Sequence, residues 1–209
     1  MMLRKKILLY QGGRNFGIEK NYKAFQDILA EYIVENYENV DIFSDKDFFE
    51  NSALIFFSQE GELTEEQEKN ILEFVYEGKG FVGLHGASAS FKSHPQYFEM
   101  LGGKFIGHKD VMKFDIKFLD HTHPITEGLN DFNFRDEPYR HDFSMGEDNQ
   151  IFAEAHYHDK NDPKPEPIIW AKKYGKGNVF YCSLGHRNAS LKDNLFRTLI
   201  KRAVKWVIE

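Results

Sequence analysis

The sequence predicts an α/β chain built on a doubly wound sheet, and three observations predict it. Short apolar runs, Ile7-Leu8-Leu9-Tyr10 and Ala53-Leu54-Ile55-Phe56-Phe57, show no polar alternation, as strands buried on both faces do. Stretches with apolar residues at helical spacing separate such runs. Glycines at 12, 13, 78 and 80 punctuate the changes between them. Strand, helix, strand, helix, strand is the order of a doubly wound sheet.

Taken in order, Ile7-Leu8-Leu9-Tyr10 is a buried parallel strand that ends in the turn Gly12-Gly13. The turn lacks the spacing of a dinucleotide fingerprint. Arg14 and Asn15 follow it, either reaching a ligand or staying in a solvated loop. Tyr22, Phe25, Ile28, Leu29, Tyr32 and Ile33 mark the inner face of a first helix. Val40-Asp41-Ile42-Phe43 is a short strand candidate, and Ala53 to Phe57 a stronger one. Thr64-Glu65-Glu66-Gln67 forms a capping box, and its helix runs through Ile71, Leu72, Phe74 and Val75 to Gly78.

The central stretch is Gly80-Phe81-Val82-Gly83-Leu84-His85-Gly86-Ala87-Ser88. A buried strand runs into a tight turn that holds one histidine. Ligands of open α/β sheets bind beyond the carboxyl ends of strands, so His85 sits where a functional side chain would sit; the plainer reading is a packed histidine capping the strand. Ser88 and Ser90 either hydrogen-bond a ligand or cap the following turn.

Pro95 to Leu101 reads as a short helix, ended by Gly102-Gly103. Gly107-His108 is a second glycine–histidine pair. Val111 to Leu119 alternates as an edge or antiparallel strand would. Asp136-Glu137-Pro138-Tyr139 reads as a polar loop, and Ile151 to Ala155 as a strand. The charged segment from Asp159 to Pro167 is expected to be mobile. Ile168-Ile169-Trp170-Ala171 and Asn178 to Cys182 flank Gly175-Lys176-Gly177 as a β-hairpin. Gly185-His186 is a third glycine–histidine pair, and an amphipathic helix carrying Leu195, Leu199, Ala203 and Trp206 closes the chain.

The totals narrow the function. A length of 209 residues suits one domain, 1–209. A net charge of −6 with no basic stripe argues against a nucleic-acid partner. The single cysteine, Cys182, excludes an internal disulfide framework. No span suits a membrane helix or a signal peptide, so the chain reads as soluble and cytoplasmic. A homo-oligomer is compatible with general practice, although no stretch demonstrates one.

The succession of motifs resembles the ThuA-like (trehalose utilisation) family of the class I glutamine amidotransferase-like superfamily. The matching stretches are Leu63 to Gln67, Gly80 to His85, Leu101 to His108, His123 to Leu129, Asp136 to Tyr139, Tyr174 to Tyr181 and Leu184-Gly185-His186. The resemblance implies a flavodoxin-like three-layer α/β sandwich with a mostly parallel central sheet. It also places His85 where amidotransferases carry a nucleophilic cysteine. Acyl transfer needs a thiolate or an equivalent nucleophile, so ordinary amidotransferase activity is not expected. The resemblance points instead to carbohydrate metabolism, with a disaccharide or keto-sugar as substrate. Relatives often carry a histidine after the first glycine turn, where this chain has Arg14-Asn15-Phe16.

The residues that carry chemistry are His85, His108, Glu137 and His186, with Tyr139 and Arg187 beside them in sequence. Two chemistries fit. The histidines and Glu137 act as general acid and base, since imidazole titrates near neutrality. Alternatively, the three histidines and the carboxylate bind a divalent metal such as zinc, although no His-Glu-x-x-His spacing is present. Arg14, Asn15, Ser88, Tyr139 and Arg187 are the candidate substrate contacts. His123 reads as a turn residue and His94 as a helix cap, while His121, His141, His156 and His158 read as exposed. A sugar-modifying enzyme stands first; a non-catalytic carbohydrate-binding protein and a residual amidase are the alternatives.

Overall fold

The computed structural model describes residues 3–13, 17–59, 61–146, 148–157 and 164–209. Arg14, Asn15, His158 and most of the loop expected to be mobile lie outside them. In chain order the elements begin β1 (Lys6–Tyr10), α1 (Ile18–Ile28), β2 (Ile33–Tyr37), β3 (Ala53–Phe56), α2 (Glu65–Tyr76) and β4 (Gly80–Leu84). Next come α3 (Pro95–Leu101), β5 (Lys104–His108), β6 (Met112–Phe118), β7 (Phe132–Asp136) and β8 (Tyr139–Asp142). The last are β9 (Gln150–His156), β10 (Glu166–Tyr174), β11 (Gly177–Cys182) and α4 (Asn194–Val207).

Nine strands form one sheet in the order β2-β1-β3-β4-β11-β10-β9-β6-β7. The first five are parallel to one another; every pairing from β11 to β7 is antiparallel. The sheet is therefore mixed rather than mostly parallel. The tight turn at Gly175-Lys176 forces β10 to run back against β11, and β9, β6 and β7 continue in antiparallel fashion. β6 lies inside this half and not at an edge. β5 and β8 pair separately as a small two-stranded sheet.

Alternation along the parallel strands makes three layers. Ile7 and Leu9 of β1, Ile55 of β3 and Val82 of β4 face one core with Phe25 of α1 and Leu199 of α4. Leu8, Leu54 and Phe81 face the other, with Phe74 of α2 and Phe98 of α3. The expected capping box is present: Thr64 accepts from the Gln67 amide and Gln67 accepts from the Thr64 amide. The first helix stops early. Tyr32 and Ile33 fit its period, but Ile33 opens β2, which pairs with β1. Val40-Asp41-Ile42-Phe43 is a 3₁₀ turn and not a strand, because the Asn39 side chain caps it at the Asp41 amide. Among the described residues, no helix is long and apolar enough to cross a membrane.

Candidate functional site

The site forms at the carboxyl ends of β4 and β11, which run side by side. His85 follows β4 directly and takes a left-handed φ of 44°. Such a backbone is strained for a residue with a Cβ. The His85 carbonyl accepts a hydrogen bond from the Tyr181 hydroxyl, 2.7 Å. Gly86 is required next, because a Cβ there would stand 2.5 Å from the Ser58 carbonyl oxygen. The β11 end reaches His186 through Gly185, whose φ of 120° suits glycine alone.

Four side chains meet there. His85 Nε2 lies 3.2 Å from His186 Nδ1 and 3.5 Å from Glu137 Oε2. His186 Nδ1 lies 3.3 Å from Glu137 Oε2. Glu137 occupies the short link between β7 and β8. Its other oxygen, Oε1, lies 3.2 Å from His108 Nδ1 at the end of β5. His108 therefore arrives on a strand of the small sheet, not on a loop. His85 is buried, Glu137 is half-buried and His186 is open to solvent.

Proton positions follow from the partners. His85 Nδ1 faces the Ser183 carbonyl at 2.8 Å; a carbonyl only accepts, so Nδ1 carries a proton, and Nε2 presents a lone pair whenever the ring is neutral. His108 Nδ1 faces both Glu137 Oε1 and the Lys109 carbonyl, 3.1 Å, so it too carries a proton. Burial pushes the Glu137 carboxyl up, but the His85 hydrogen bond and the charges of His186, His85 and His108 outweigh it and hold the group below its ordinary value. Among the described residues, His85, Glu137 and His186 are the donors close enough to share one metal ion; His108 orients the carboxylate from behind.

The remaining sequence candidates are placed as follows. Ser88 is fully buried, and its hydroxyl meets Tyr181 Oη at 2.7 Å and His141 Nε2 at 3.0 Å; it offers a ligand no surface. Tyr139 is also buried and packs its ring under His85, centroids 4.2 Å apart. Arg187 is exposed and follows His186 in the chain. His141, read as exposed, is buried against Trp170 and Tyr181, because its short strand packs on β10. His94 precedes α3, but its ring makes no cap and bonds Glu68 at 2.9 Å. Cys182 is a core thiol, pushed up to about 12 by burial.

A cleft of about 250 Å³ opens over the four side chains, lined also by Phe57, Ser58, Gln59 and Asn188. Sequence reading missed these four and Asp136, which is fully buried beneath the site. Phe57 to Gln59 follow β3 directly, and Asn188 follows the third glycine–histidine pair, so strand-end position was the available signal.

Residues 6–207 match the model of a family described as ThuA, trehalose utilisation. No curated protein matches the chain. Among solved structures, a ThuA-like protein from Parabacteroides merdae superposes with a TM-score of 0.83 at 20% identity, over 99% of this chain and 90% of that one. A ThuA-like protein from Bacteroides uniformis gives 0.82 at 18% identity, over 98% and 91%. A chain described as a GMP synthase component from Thermoplasma acidophilum gives 0.59 at 12% identity, over 99% and 97%. At these identities the likeness is one of fold.

Proposed function

This chain belongs to the ThuA family, and on that premise we propose that it is a sugar-modifying enzyme acting on a disaccharide or keto-sugar, with a divalent ion such as zinc held by His85, Glu137 and His186. One observation carries the reading: His85 Nε2, Glu137 Oε2 and His186 Nδ1, three atoms that can each accept, lie within 3.5 Å of one another. Acceptors crowded this way repel unless a cation lies among them. A proton serves two of the three at a time, whereas a divalent ion serves all three. Zinc–ligand bonds of about 2.0–2.1 Å in tetrahedral geometry put donors about 3.3 Å apart. The separations here are 3.2, 3.3 and 3.5 Å. Imidazole with carboxylate suits zinc, and the Ser183 carbonyl supplies the outer partner that fixes a ligating histidine.

Held by His85, Glu137 and His186, such an ion would supply Lewis-acid polarisation of a sugar carbonyl or activation of water. The side chains supply the rest. Glu137 turns Oε2 toward His85 and His186 and Oε1 toward His108. His108 has its Nε2 for a sugar hydroxyl or ring proton, where an imidazole acts as general acid or base. Gln59 and Asn188 offer carboxamide groups to sugar hydroxyls, and Phe57 an apolar surface to a ring face. At ~30 Å³ per water, the cleft of about 250 Å³ holds about eight waters, which suits one sugar ring with its hydroxyls. Arg187, exposed and next to His186 in the chain, is the proposed contact for the part of the substrate outside.

The β2-β1-β3-β4-β11 half of the sheet follows the flavodoxin-like strand order, which supports kinship with class I glutamine amidotransferases. Their acyl chemistry does not carry over, since the elbow holds imidazole and Cys182 lies in the core. Turnover of a panel of disaccharides and keto-disaccharides by zinc-loaded protein tests the reading. The enzyme predicts new products, lost in a folded His85→Ala variant. Saccharide binding without product would instead favour the carbohydrate-binding alternative.

A further inference from the structure

We infer that Asp136 is the positioning residue of this centre, a buried clamp that fixes the segment carrying Glu137 to the segment carrying His186. The inference rests on the reading of the three donors as one ion site. Asp136 ends β7 and is fully buried. Its Oδ1 accepts from the Glu137 amide at 2.9 Å and the His186 amide at 3.2 Å. Its Oδ2 accepts from the Gly185 amide at 2.8 Å and the Ser190 hydroxyl at 3.2 Å. Hydrogen bonds to an ionised acceptor are among the strong ones.

Two of those four donors are the backbone amides of the candidate ligands themselves. β7 and β11 are not neighbours in the sheet: β10, β9 and β6 stand between them. No ladder therefore sets the distance from Glu137 to His186; one carboxylate spans the gap. Both of its oxygens must accept. Asparagine would turn an NH₂ group toward either the Gly185 amide or the pair of ligand amides, and a donor facing a donor pushes that segment away. Asp136 touches neither the ion position nor the cleft, so it acts only through the residues it holds.

Cobalt(II) titration of the full chain, followed by its visible bands, tests this with wild type, Asp136→Asn and Ser190→Ala. Amide hydrogen exchange, run without metal, accompanies it. Asp136→Asn is expected to weaken cobalt binding about 10- to 100-fold, to alter the visible bands, and to speed exchange at Gly185 and His186 while β1 and β4 stay protected. Ser190→Ala, which removes one of the four bonds, is expected to give a smaller loss and faster exchange at Gly185. Should Asp136→Asn fail to fold, that second variant decides. Affinity and bands matching wild type, or unchanged exchange at Gly185 and His186, would overturn the clamp. If wild type takes up no cobalt, the ion reading falls, and exchange alone judges Asp136.

Discussion

His85 Nε2 and His186 Nδ1 stand 3.2 Å apart across 101 positions of chain. The Ser183 carbonyl takes the other His85 nitrogen, so Nε2 of a neutral His85 faces His186 with a lone pair. If a cation lies between them, as proposed, metal should stabilise the fold. Zinc at 100 times its Kd adds about 2.7 kcal/mol, which for a chain of this length is roughly 5–10 °C in Tm. Calorimetry with and without zinc should show that rise in wild type and none in His85→Ala.

Tyr181→Phe should cost about 1–3 kcal/mol. It removes the hydroxyl that holds the His85 carbonyl in a left-handed conformation, and leaves Ser88 and His141 short of a partner. Urea unfolding measures the loss. A change within a few tenths of a kcal/mol would mean that the strained turn is held by packing alone.

Gly86→Ala brings a methyl to 2.5 Å from the Ser58 carbonyl oxygen and 2.6 Å from Gln59 Cβ. One of these segments must move, and Ser58 and Gln59 are cleft wall. Overpacking of this kind costs about 1–3 kcal/mol. Saccharide affinity should fall with stability; wild-type Tm and affinity together would contradict the close approach.

His141 makes stability depend on pH. Burial, helped by the charge of His85, pushes it down to about 3, against an unfolded value of about 6.5. Between those values the unfolded chain binds a proton that the folded chain refuses. Stability therefore falls as pH drops below 6.5, by up to about 1.4 kcal/mol per pH unit. Glu137 acts lower: its depressed value makes its contribution fall away only as pH drops below the ordinary carboxylate range. Urea unfolding between pH 6.5 and 5, with chelator present, should show a flatter dependence in His141→Gln. An equal slope in both proteins would contradict a buried neutral imidazole.

Much of the site was legible because its histidines share one pattern, an apolar run and then a ring with a glycine directly beside it. Strand ends are where a parallel sheet exposes functional groups, and His85 and His186 obey that rule. Asp136 was not legible, because four donors from 54 positions of chain give no local signal. His141 sits between arginine and aspartate in a four-residue strand, which looks solvated until β10 covers it. In the fold, unalternated runs identified β1, β3 and β4. β2 was missed because Tyr32 and Ile33 continue the period of α1, and only pairing with β1 makes Ile33 extended.

The central claim is that a cation belongs among three groups drawn from β4, β11 and the β7–β8 link. Anomalous diffraction at the zinc edge, from crystals of tag-free protein grown with zinc, tests it most directly. The account predicts one strong peak per chain within bonding distance of His85 Nε2, Glu137 Oε2 and His186 Nδ1. An empty position there in the presence of millimolar zinc, or a peak that engages other side chains instead, would contradict it.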